Sequence, residues 1–497
     1  MVEISVAQEA VPEQGVVVVL VGTDGSLSAA AAAFDREGIV SRALGLPGPK
    51  RRHGRIVSLP LPAGLRLDRL LVVVVGKPEG LAARDMEELG AAIVRQLEAD
   101  RVGEAVIASP AGLELGLEED AAIAAMALGA ELRAYRFDKY RRSGDGEEDE
   151  ERKPLARLRF LSAGPAGTAL ARVRGLAGAV AWTRDLVAEP ANVLYPESFA
   201  RICESLSEVG VEVEVLRPAE LERLGMRALL AVGQGSAHPP HVVIMRWKGA
   251  EQEAPLALVG KGVCFDSGGI SLKPAGGMQD MKWDMAGAAA VAGAMRALAA
   301  RRAAVDVVGA IGLVENMPSG TAQRPGDVIR AYSGKTIEVV NTDAEGRLLL
   351  ADVLAYVCER FAPRAVVDLA TLTGAVIVAL GHERAGLFAT DDDLAENLLA
   401  AGEEVGELLW RLPLDKAYSK HIRSDIAEIK NVGRGREAGS IAGAVFLREF
   451  VGDRPWAHID IAGVAWSDRD LTLLRKGATG FGVRLLDRLV ARRFEGR

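Results

Sequence analysis

The chain has 497 residues, of which 49% are hydrophobic and 26% are charged, and its formal net charge is −8. This length exceeds what a single hydrophobic core usually serves, so we expect at least two domains. Binding to a nucleic-acid backbone relies on clustered basic side chains, so the acidic balance makes nucleic acid an unexpected partner without excluding a local basic patch. The composition indicates a globular protein with a large core.

The cysteines and the N-terminal residues indicate the cellular compartment of the protein. Cys203, Cys264 and Cys358 are scattered and form no CxxC pair, which argues against a disulfide framework or a thiolate zinc site. The opening stretch MVEISVAQEAVPEQG has three acids and no base, unlike a secretory signal. No apolar run reaches the ~18 residues of a membrane span. We expect a cytoplasmic protein with no membrane association.

The first part of the chain alternates between strand and helix patterns. Residues 15–22 and 69–76 are β-branched runs that end in glycine, a composition typical of buried strands. Helical patterns follow them at 25–35 and 84–98. This alternation predicts an α/β domain.

A charged segment and a long helix then lead to the second domain. Residues 144–154 are rich in acids and are expected to form a surface loop within the first domain. A further strand is predicted at 155–162. Residues 168–188 have a continuous helical pattern that stops at Glu189-Pro190, because the residue before proline disfavours helix. We place the domain junction at this helix.

The remainder of the chain again alternates between the two patterns. Its predicted strands are 240–247, 255–260, 304–311, 336–340 and 365–371, and its main helices lie near 284–301 and 347–361. This order predicts a mainly parallel sheet. The expected fold is α/β, with a smaller N-terminal α/β domain (1–165), a connecting helix (166–190) and a larger C-terminal α/β domain (191–497).

A dense group of ionisable residues follows the predicted strand 255–260. The segment 259–284 contributes Lys261, Asp266, Lys273, Asp280, Lys282 and Asp284. The glycines at 268, 269, 276 and 277 allow the loop to fold closely around a ligand. Ligands of doubly wound sheets gather at the carboxyl ends of strands, where this loop begins. Taken alone, the segment fits a structural or phosphate-binding loop as well.

A second group, NTDAEGRLLLAD (341–352), follows the predicted strand 336–340 and enters a helix. Asp343 and Glu345 lie two residues apart in an extended turn, so both carboxylates can face one point. Helix capping would account for one of these acids. It would not account for a neighbouring acid together with Arg347.

The two groups together predict a metal centre. Carboxylate oxygens are ligands for Zn²⁺, Mn²⁺ or Mg²⁺. Two divalent cations would balance Asp266, Asp284, Asp343 and Glu345. Lys261 could then bind as a neutral amine, because adjacent cations would displace its proton. Two such ions can activate a water for hydrolysis.

The sequence gives less support to other catalytic mechanisms. The six histidines form no HExxH motif, and the chain has no GxSxG motif or phosphate-binding P-loop. A dinuclear phosphatase would use similar carboxylates. It would not need Lys261 as a ligand, however, and histidine usually joins such sites.

At these two groups the sequence closely resembles the leucyl aminopeptidase family, the cytosol aminopeptidases of the M17 type. NTDAEGR (341–347) matches completely, and KGVCFDSGGISLK (261–273) fits the family's other signature. The stretches 184–197 and 457–466 extend the resemblance from about residue 180 to the C-terminus. The first 160 or so residues match loosely, as is usual for the variable N-terminal domain of this family.

The resemblance implies a role for each metal ligand. Asp266 and Glu345 would bridge two ions, Mn²⁺ or Zn²⁺. Asp343 would bind one of them, and Lys261 and Asp284 would complete the other. The free α-amine of a peptide substrate would bind a metal, which would confine cleavage to N-terminal residues.

The resemblance also implies the catalytic groups and the substrate pocket. Lys273 would polarise the scissile carbonyl, and Arg347 would hold a bicarbonate ion that shuttles protons. Residues at the positions that line the family's first-residue pocket are Met281, Thr371, Gly374 and Ala462. Because Ala465-Trp466 occupies a variable stretch, a preference for leucine follows less directly than aminopeptidase activity.

The family also suggests an assembly and a second class of function. Its members form hexamers, so a homohexamer is expected. Some members bind DNA as architectural or regulatory factors, and a DNA-binding or bifunctional protein is therefore the alternative hypothesis. The complete set of metal ligands argues against loss of activity.

Overall fold

The computed structural model describes residues 2–8, 10–45, 52–76, 80–141, 155–162, 167–251 and 254–495. The chain divides into two compact units, residues 1–177 with 469–475 and residues 178–468 with 476–497. The division falls within the helix Gly167–Ala188, so this helix contributes to both units. The predicted acidic loop, residues 144–154, lies outside the described residues.

The first unit contains a six-stranded sheet in the order β1-β6-β5-β2-β4-β3, parallel except for β3. Its strands are β1 (Glu3–Ala7), β2 (Gly15–Gly22), β3 (Ile56–Pro60), β4 (Leu67–Val75), β5 (Glu104–Ile107) and β6 (Arg157–Leu161). Its helices are α1 (Ala29–Phe34), α2 (Ile39–Gly45), α3 (Ala83–Ala99) and α4 (Glu119–Ala134), and α5 (Gly167–Ala188) leads into the second unit. The valine-rich runs of β2 and β4 are buried on both faces, as parallel sheets require.

The second unit contains an eight-stranded sheet in the order β15-β14-β17-β13-β9-β10-β8-β7. Its strands are β7 (Glu212–Leu216), β8 (His241–Lys248), β9 (Leu256–Asp266), β10 (Asp306–Asn316), β13 (Ala365–Ala370), β14 (Ala385–Ala389), β15 (Leu409–Arg411) and β17 (Trp456–Asp460). The four adjacent strands β17, β13, β9 and β10 are mutually parallel. Antiparallel pairs join β14 to β17, β8 to β10 and β7 to β8.

Helices cover both faces of this sheet. The helices are α6 (Pro196–Glu204), α7 (Pro218–Leu224), α8 (Arg227–Gly233), α9 (Ala286–Ala300), α10 (Gly346–Phe361), α11 (Gly374–Leu380), α12 (Asp392–Val405), α13 (Gly439–Arg448) and α14 (Val483–Leu489). The apolar sides of α8, α10 and α13 share one core with the sheet. Helix α9 packs on β9, β10 and β13 and contacts α14. Short 3₁₀ segments occur at Arg36–Gly38, Ser205–Val209, Met278–Trp283 and Lys416–Ile422, and a π-helical turn at Val490–Phe494.

Two smaller sheets complete the second unit. One joins β11 (Val328–Arg330), β12 (Thr336–Glu338) and β16 (Ile429–Lys430), and the other joins β18 (Trp466–Ser467) and β19 (Gly477–Ala478). The predicted strand 336–340 is therefore shorter than expected and lies outside the main sheet. Its backbone pairs with a segment about ninety residues later in the chain, which local sequence patterns do not reveal.

The α/β class and the mainly parallel sheet are confirmed. Predicted strands and helices recur with shifted ends: β9 and β10 extend to Asp266 and Asn316, beyond the predicted 260 and 311. Within the described ranges, no helix combines the length and apolarity needed to cross a membrane.

Candidate metal centre

The site lies where the four parallel strands end. Because parallel strands present their carboxyl ends at one edge of a sheet, residues that end different strands meet there. Asp266 ends β9 and pairs in register with Asn316 at the end of β10. Asp460 ends β17 opposite Ala370 of β13, and Thr371 follows directly. This edge brings together residues separated by nearly two hundred positions.

Lys261 lies at the centre of this edge. Its side chain is 3% exposed, and its ammonium lies 2.8 Å from Asp284 Oδ1 and 3.0 Å from Glu345 Oε1. It also donates to the Thr371 carbonyl at 2.8 Å. A Cβ on Gly346 would lie 2.4 Å from Lys261 Cε, so only glycine at the start of α10 leaves room for the lysine chain.

A bulge in β9 explains how Lys261 and Asp266 serve the same site. Side chains five positions apart in a regular strand point to opposite faces. The pairing with β10 shifts between Val314 and Glu315, where Val263 and Phe265 are their partners and Cys264 is extra. Such an extra residue changes the direction of the side chains beyond it.

Three carboxylates converge beside Lys261. Oxygens of Asp266, Asp343 and Glu345 lie within 4.8 Å of one another. Lys273 connects two of them, with Nζ 2.7 Å from Asp266 Oδ2 and 2.5 Å from Asp343 Oδ1. Asn316 Nδ2 donates to Asp266 Oδ1 at 2.8 Å. The cluster therefore has the oxygen ligands and the charge expected of a cation site.

The electrostatics of this cluster reflect burial and crowding. Burial, followed by the nearby charge of Asp266, raises the pKa of the Glu345 carboxyl. Burial raises the pKa of Asp284 and Asp343 as well. For Lys261, burial alone would lower the pKa, but the surrounding carboxylates raise it above its ordinary value. The buried acids are unfavourable as free anions and would gain from bound cations.

Two buried carboxylate oxygens support a metal ligand role. Among the described residues, Asp284 Oδ2 and Glu345 Oε2 have no hydrogen-bond donor. Buried polar atoms are nearly always satisfied, so each such atom calls for an explanation. Oxygen donors beside a buried lysine amine fit a divalent cation such as Mn²⁺ or Zn²⁺.

Arg347 is the second residue of α10, and its side chain is buried. Its Nε has no hydrogen-bond partner in the described part of the chain. Burial lowers the pKa of the guanidinium, against the attraction of Glu345 and Asp460. A Cβ on Gly443 would lie 3.6 Å from Arg347 Nη2. A buried guanidinium with unused donors is suited to a small anion.

The residues expected to line the substrate pocket fall on three segments. Thr371 is buried and donates from Oγ1 to Asp284 Oδ1 at 2.6 Å. Gly374 begins α11, three residues further on. Ala462 N donates to Asp460 Oδ1 at 3.2 Å, and Leu372 N donates to the same oxygen at 3.1 Å. Met281 lies on the 3₁₀ segment that precedes Asp284.

Several residues that organise the site were missed by the sequence interpretation. Asn316, Thr342, Asn431 and Asp460 are all buried. They act through hydrogen bonds to backbone and carboxylate groups. Asn316 and Asn431 lie outside the recognised motifs, where asparagine carries no sequence signal for such a role. Thr342 and Asp460 lie within the matched stretches 341–347 and 457–466, but no role was assigned to them. Asn316 ends β10 in the structure, but the predicted strand stopped at residue 311, so its position at the sheet edge was not foreseen.

The fold and this cluster define a metal-dependent hydrolase. Residues 181–487 match the model of the cytosol aminopeptidase family catalytic domain, and residues 18–144 match that of the same family's N-terminal domain. The chain belongs to the cytosol aminopeptidase family, and it is an aminopeptidase that acts on peptides.

Curated relatives are similar over nearly their whole length. A probable cytosol aminopeptidase of Chelativorans sp. (strain BNC1) is 48% identical over 495 residues, covering 99% of each chain. A probable cytosol aminopeptidase of Methylobacterium radiotolerans is 50% identical, over 97% of this chain and 96% of the relative.

Solved structures show the same similarity. The bottromycin maturation enzyme BotP in complex with Mn has a TM-score of 0.82 and 38% identity, covering 96% of this chain and 98% of the other. A mutant of tomato leucine aminopeptidase has a TM-score of 0.84 and 32% identity, covering 99% and 97%.

Proposed function

We propose that this aminopeptidase works through a dinuclear centre held by Lys261, Asp266, Asp284, Asp343 and Glu345. The observation that carries the proposal is the convergence of these five side chains at one edge of the sheet, with buried carboxylate oxygens that lack donors. Four carboxylates match the charge of two divalent ions. Mn²⁺ or Zn²⁺ would fit, and the related bottromycin enzyme has been solved with Mn.

When bound, the two ions would supply Lewis acidity and an activated water. The chain's own residues would do the rest. Lys273, which is 21% exposed, lies between the buried carboxylates and solvent. Its ammonium would donate to the carbonyl oxygen of the scissile bond as negative charge develops there. Arg347 would hold a small anion, bicarbonate, that accepts and returns a proton.

Substrate position would follow from the surrounding segments. The free α-amine of the peptide would be directed to the metal centre. The first side chain would rest against Met281, Thr371, Gly374 and Ala462. The small residues among these leave room for a medium-sized apolar side chain, which fits leucine or a broad preference.

The wider setting is part of the same proposal. We propose a homohexamer that acts in the cytoplasm on peptides with free N-termini. We also propose domains at 1–165 and 191–497, joined by a helix at 166–190. No observation on the described residues favours the DNA-binding alternative.

Blocking the substrate amine tests the proposal. Leucyl amides and unblocked peptides should be cleaved after addition of Mn²⁺ or Zn²⁺, because the α-amine can reach the centre. N-acetyl versions of the same peptides should stay intact, since acetylation removes the basic lone pair and adds bulk. Mass spectrometry at equal concentration measures both. Equal cleavage of the blocked peptide, or cleavage at an internal bond, would overturn the proposed arrangement.

A further inference from the structure

Asn431 is buried beside the loop that carries two of the candidate ligands. Its side chain is 0% exposed, and it follows β16, which pairs in parallel with β12. Asn431 N continues this pairing by donating to the Glu338 carbonyl at 3.0 Å. The side chain therefore points from a paired strand toward the loop 340–345, which leads from β12 into α10.

Within the described residues, all hydrogen bonds of the Asn431 side-chain amide go to the backbone of this loop. Its Oδ1 accepts from Val340 N at 2.8 Å and from Asn341 N at 3.3 Å. Its Nδ2 donates to the Asn341 carbonyl at 2.6 Å and the Ala344 carbonyl at 3.3 Å. Two donors and two acceptor positions are all that a side-chain amide offers. A hydroxyl of similar size has only one donor, so the two donors and two acceptors of the loop backbone select asparagine.

The loop is held on its other side by the first signature segment. Thr342 Oγ1 donates to the Gly268 carbonyl at 2.6 Å, and Asn316 Nδ2 donates to the Thr342 carbonyl at 3.0 Å. These contacts attach the loop to the segment that carries Asp266. Asn431 supplies the opposing contacts, on the far side of Thr342 and from a different sheet.

These hydrogen bonds hold the loop in place against electrostatic repulsion between the carboxylates. Asp343 and Glu345 approach Asp266 closely, and like charges at this separation repel. Lys261 and Lys273 offset part of this repulsion, but two lysines do not balance the four carboxylates Asp266, Asp284, Asp343 and Glu345. A flexible loop would relieve the repulsion by moving the carboxylates apart. A neutral amide can oppose this movement without adding charge to the site.

We propose that Asn431 is a positioning residue that preorganises the loop 340–345 for metal binding. It touches neither metal nor substrate, and it acts through the backbone that carries Asp343 and Glu345. This inference rests on the proposed dinuclear centre. Partners of metal ligands commonly change metal affinity by about 10–100-fold when removed.

The main test compares Asn431→Ala with Leu398→Ala. Leu398 is fully buried in α12, so its truncation lowers stability without touching the loop. Co²⁺ is titrated into metal-free protein, and its visible absorption and calorimetric heat give stoichiometry and affinity. Asn431→Ala should weaken at least one ion by tenfold or more. Leu398→Ala should retain wild-type affinity despite a lower Tm.

Activity adds a second readout. For Asn431→Ala, excess Mn²⁺ should restore most of kcat, and KM should stay near the wild-type value, because the pocket segments are untouched. Wild-type metal affinity in this variant, with only a lower Tm, would overturn the inference and leave the dinuclear proposal standing. A wild-type protein that binds no divalent ion would overturn both.

Hydrogen exchange tests the preorganisation without any variant. The amides of Val340 and Asn341 should exchange slowly in metal-free wild-type protein, because both donate to Asn431 Oδ1. Exchange at the rate of an unstructured peptide would show that the loop forms only with metal, and the inference would fail. This measurement stands even where Asn431→Ala does not fold.

Discussion

Each lysine of the centre contacts two carboxylates, but the two lysines differ in burial. The side chain of Lys261 is 3% exposed and that of Lys273 is 21% exposed. Lys261 is also held by the Thr371 carbonyl, so its position is set by the fold. Lys273 has room to turn from Asp266 and Asp343 toward a substrate. This contrast supports the proposed ligand role of Lys261 and the proposed catalytic role of Lys273.

Replacing Lys273 with alanine should therefore affect the reaction more than the metals. Loss of one donor to a developing oxyanion lowers kcat by roughly 10²–10³. Metal content by elemental analysis should stay near wild type. Lys282→Ala is the matched control, because Lys282 donates to the Ala188 carbonyl at 3.1 Å and contacts no candidate ligand. Metal loss in Lys273→Ala with retention in Lys261→Ala would reverse the two assignments.

Metal binding should release protons. Carboxylates raise the pKa of Lys261, so its amine is protonated in the metal-free protein, and an ammonium cannot be a ligand. Burial raises the pKa of Glu345 as well, so protons compete with metal at higher pH than for ordinary carboxyls. The apparent affinity should therefore decrease as pH falls through neutrality.

Calorimetric titration in buffers of different ionisation enthalpy counts these protons. At least one proton per chain should be released on saturation at neutral pH, and the count should fall in Lys261→Ala if its metals are retained. Binding without proton release would exclude Lys261 as a neutral ligand.

At the scale of elements, the ends of β13 and β17 are held together by one carboxylate. Asp460 is fully buried and accepts from Leu372 N, Thr373 Oγ1 and Ala462 N at 3.1, 2.7 and 3.2 Å. These donors belong to the two segments that carry Thr371, Gly374 and Ala462. The carboxylate therefore determines the spacing of the proposed substrate pocket.

Asp460→Ala should thus weaken substrate binding. Buried donors left without an acceptor cost about 1–3 kcal/mol each, so the two segments should rearrange. KM should then rise roughly ten- to a hundredfold, and kcat at saturating metal should change less. The control is Asp391→Ala, which removes the N-cap of α12, where Asp391 accepts from Leu394 N at 2.7 Å. That change should lower Tm by the loss of a cap and leave KM unchanged. A wild-type KM in Asp460→Ala would refute this role.

The sequence predicted these elements better than the contacts between them. The continuous apolar runs identified β2, β4, β9, β10 and β13, because burial on two faces leaves such a pattern. The sequence analysis did not predict several shorter strands, namely β1, β3, β5, β7, β14, β15 and β17. The bulge at Cys264 left no local pattern, so the alignment of Lys261 with Asp266 could not be derived from spacing. The pairing of β12 with β16 likewise depends on backbone geometry between distant segments.

The residues that form hydrogen bonds to the ligand-bearing loops were also difficult to predict, because these bonds join distant parts of the chain. Asp343 and Glu345 were recognised because helix capping accounts for one acid but not for a neighbouring acid together with Arg347, and because both lie in the matched motif NTDAEGR. Asn431 lies in an unremarkable stretch of sequence, about ninety residues from the loop that it holds. Its proposed role follows from four hydrogen bonds to backbone groups. Because every residue type has the same backbone groups, the sequence gives no sign of these bonds.

At the scale of the whole molecule, large apolar side chains remain exposed on the second unit. Ile270 and Leu272 lie in the first signature segment and are 46% and 60% exposed, and Val378 on α11 is 90% exposed. Single exposed apolar residues are common. Here two of them lie in the segment that carries Asp266 and Lys273, and the third lies on the helix that begins at Gly374. Burial against other copies of the chain would remove this surface from water.

We therefore expect the purified protein to assemble, with a particle mass near six times the 52.5 kDa of one chain. Closed symmetry limits growth, so the mass should stay constant as concentration rises, whereas open association would give a mass that increases continuously. Multi-angle light scattering after size exclusion, at micromolar concentration and with and without Mn²⁺, measures this directly. The particle should persist without metal, because the exposed apolar side chains do not depend on it. A mass of one chain in both conditions would contradict the hexamer, and peptidase activity in that monomer would show that the site is complete within a single chain.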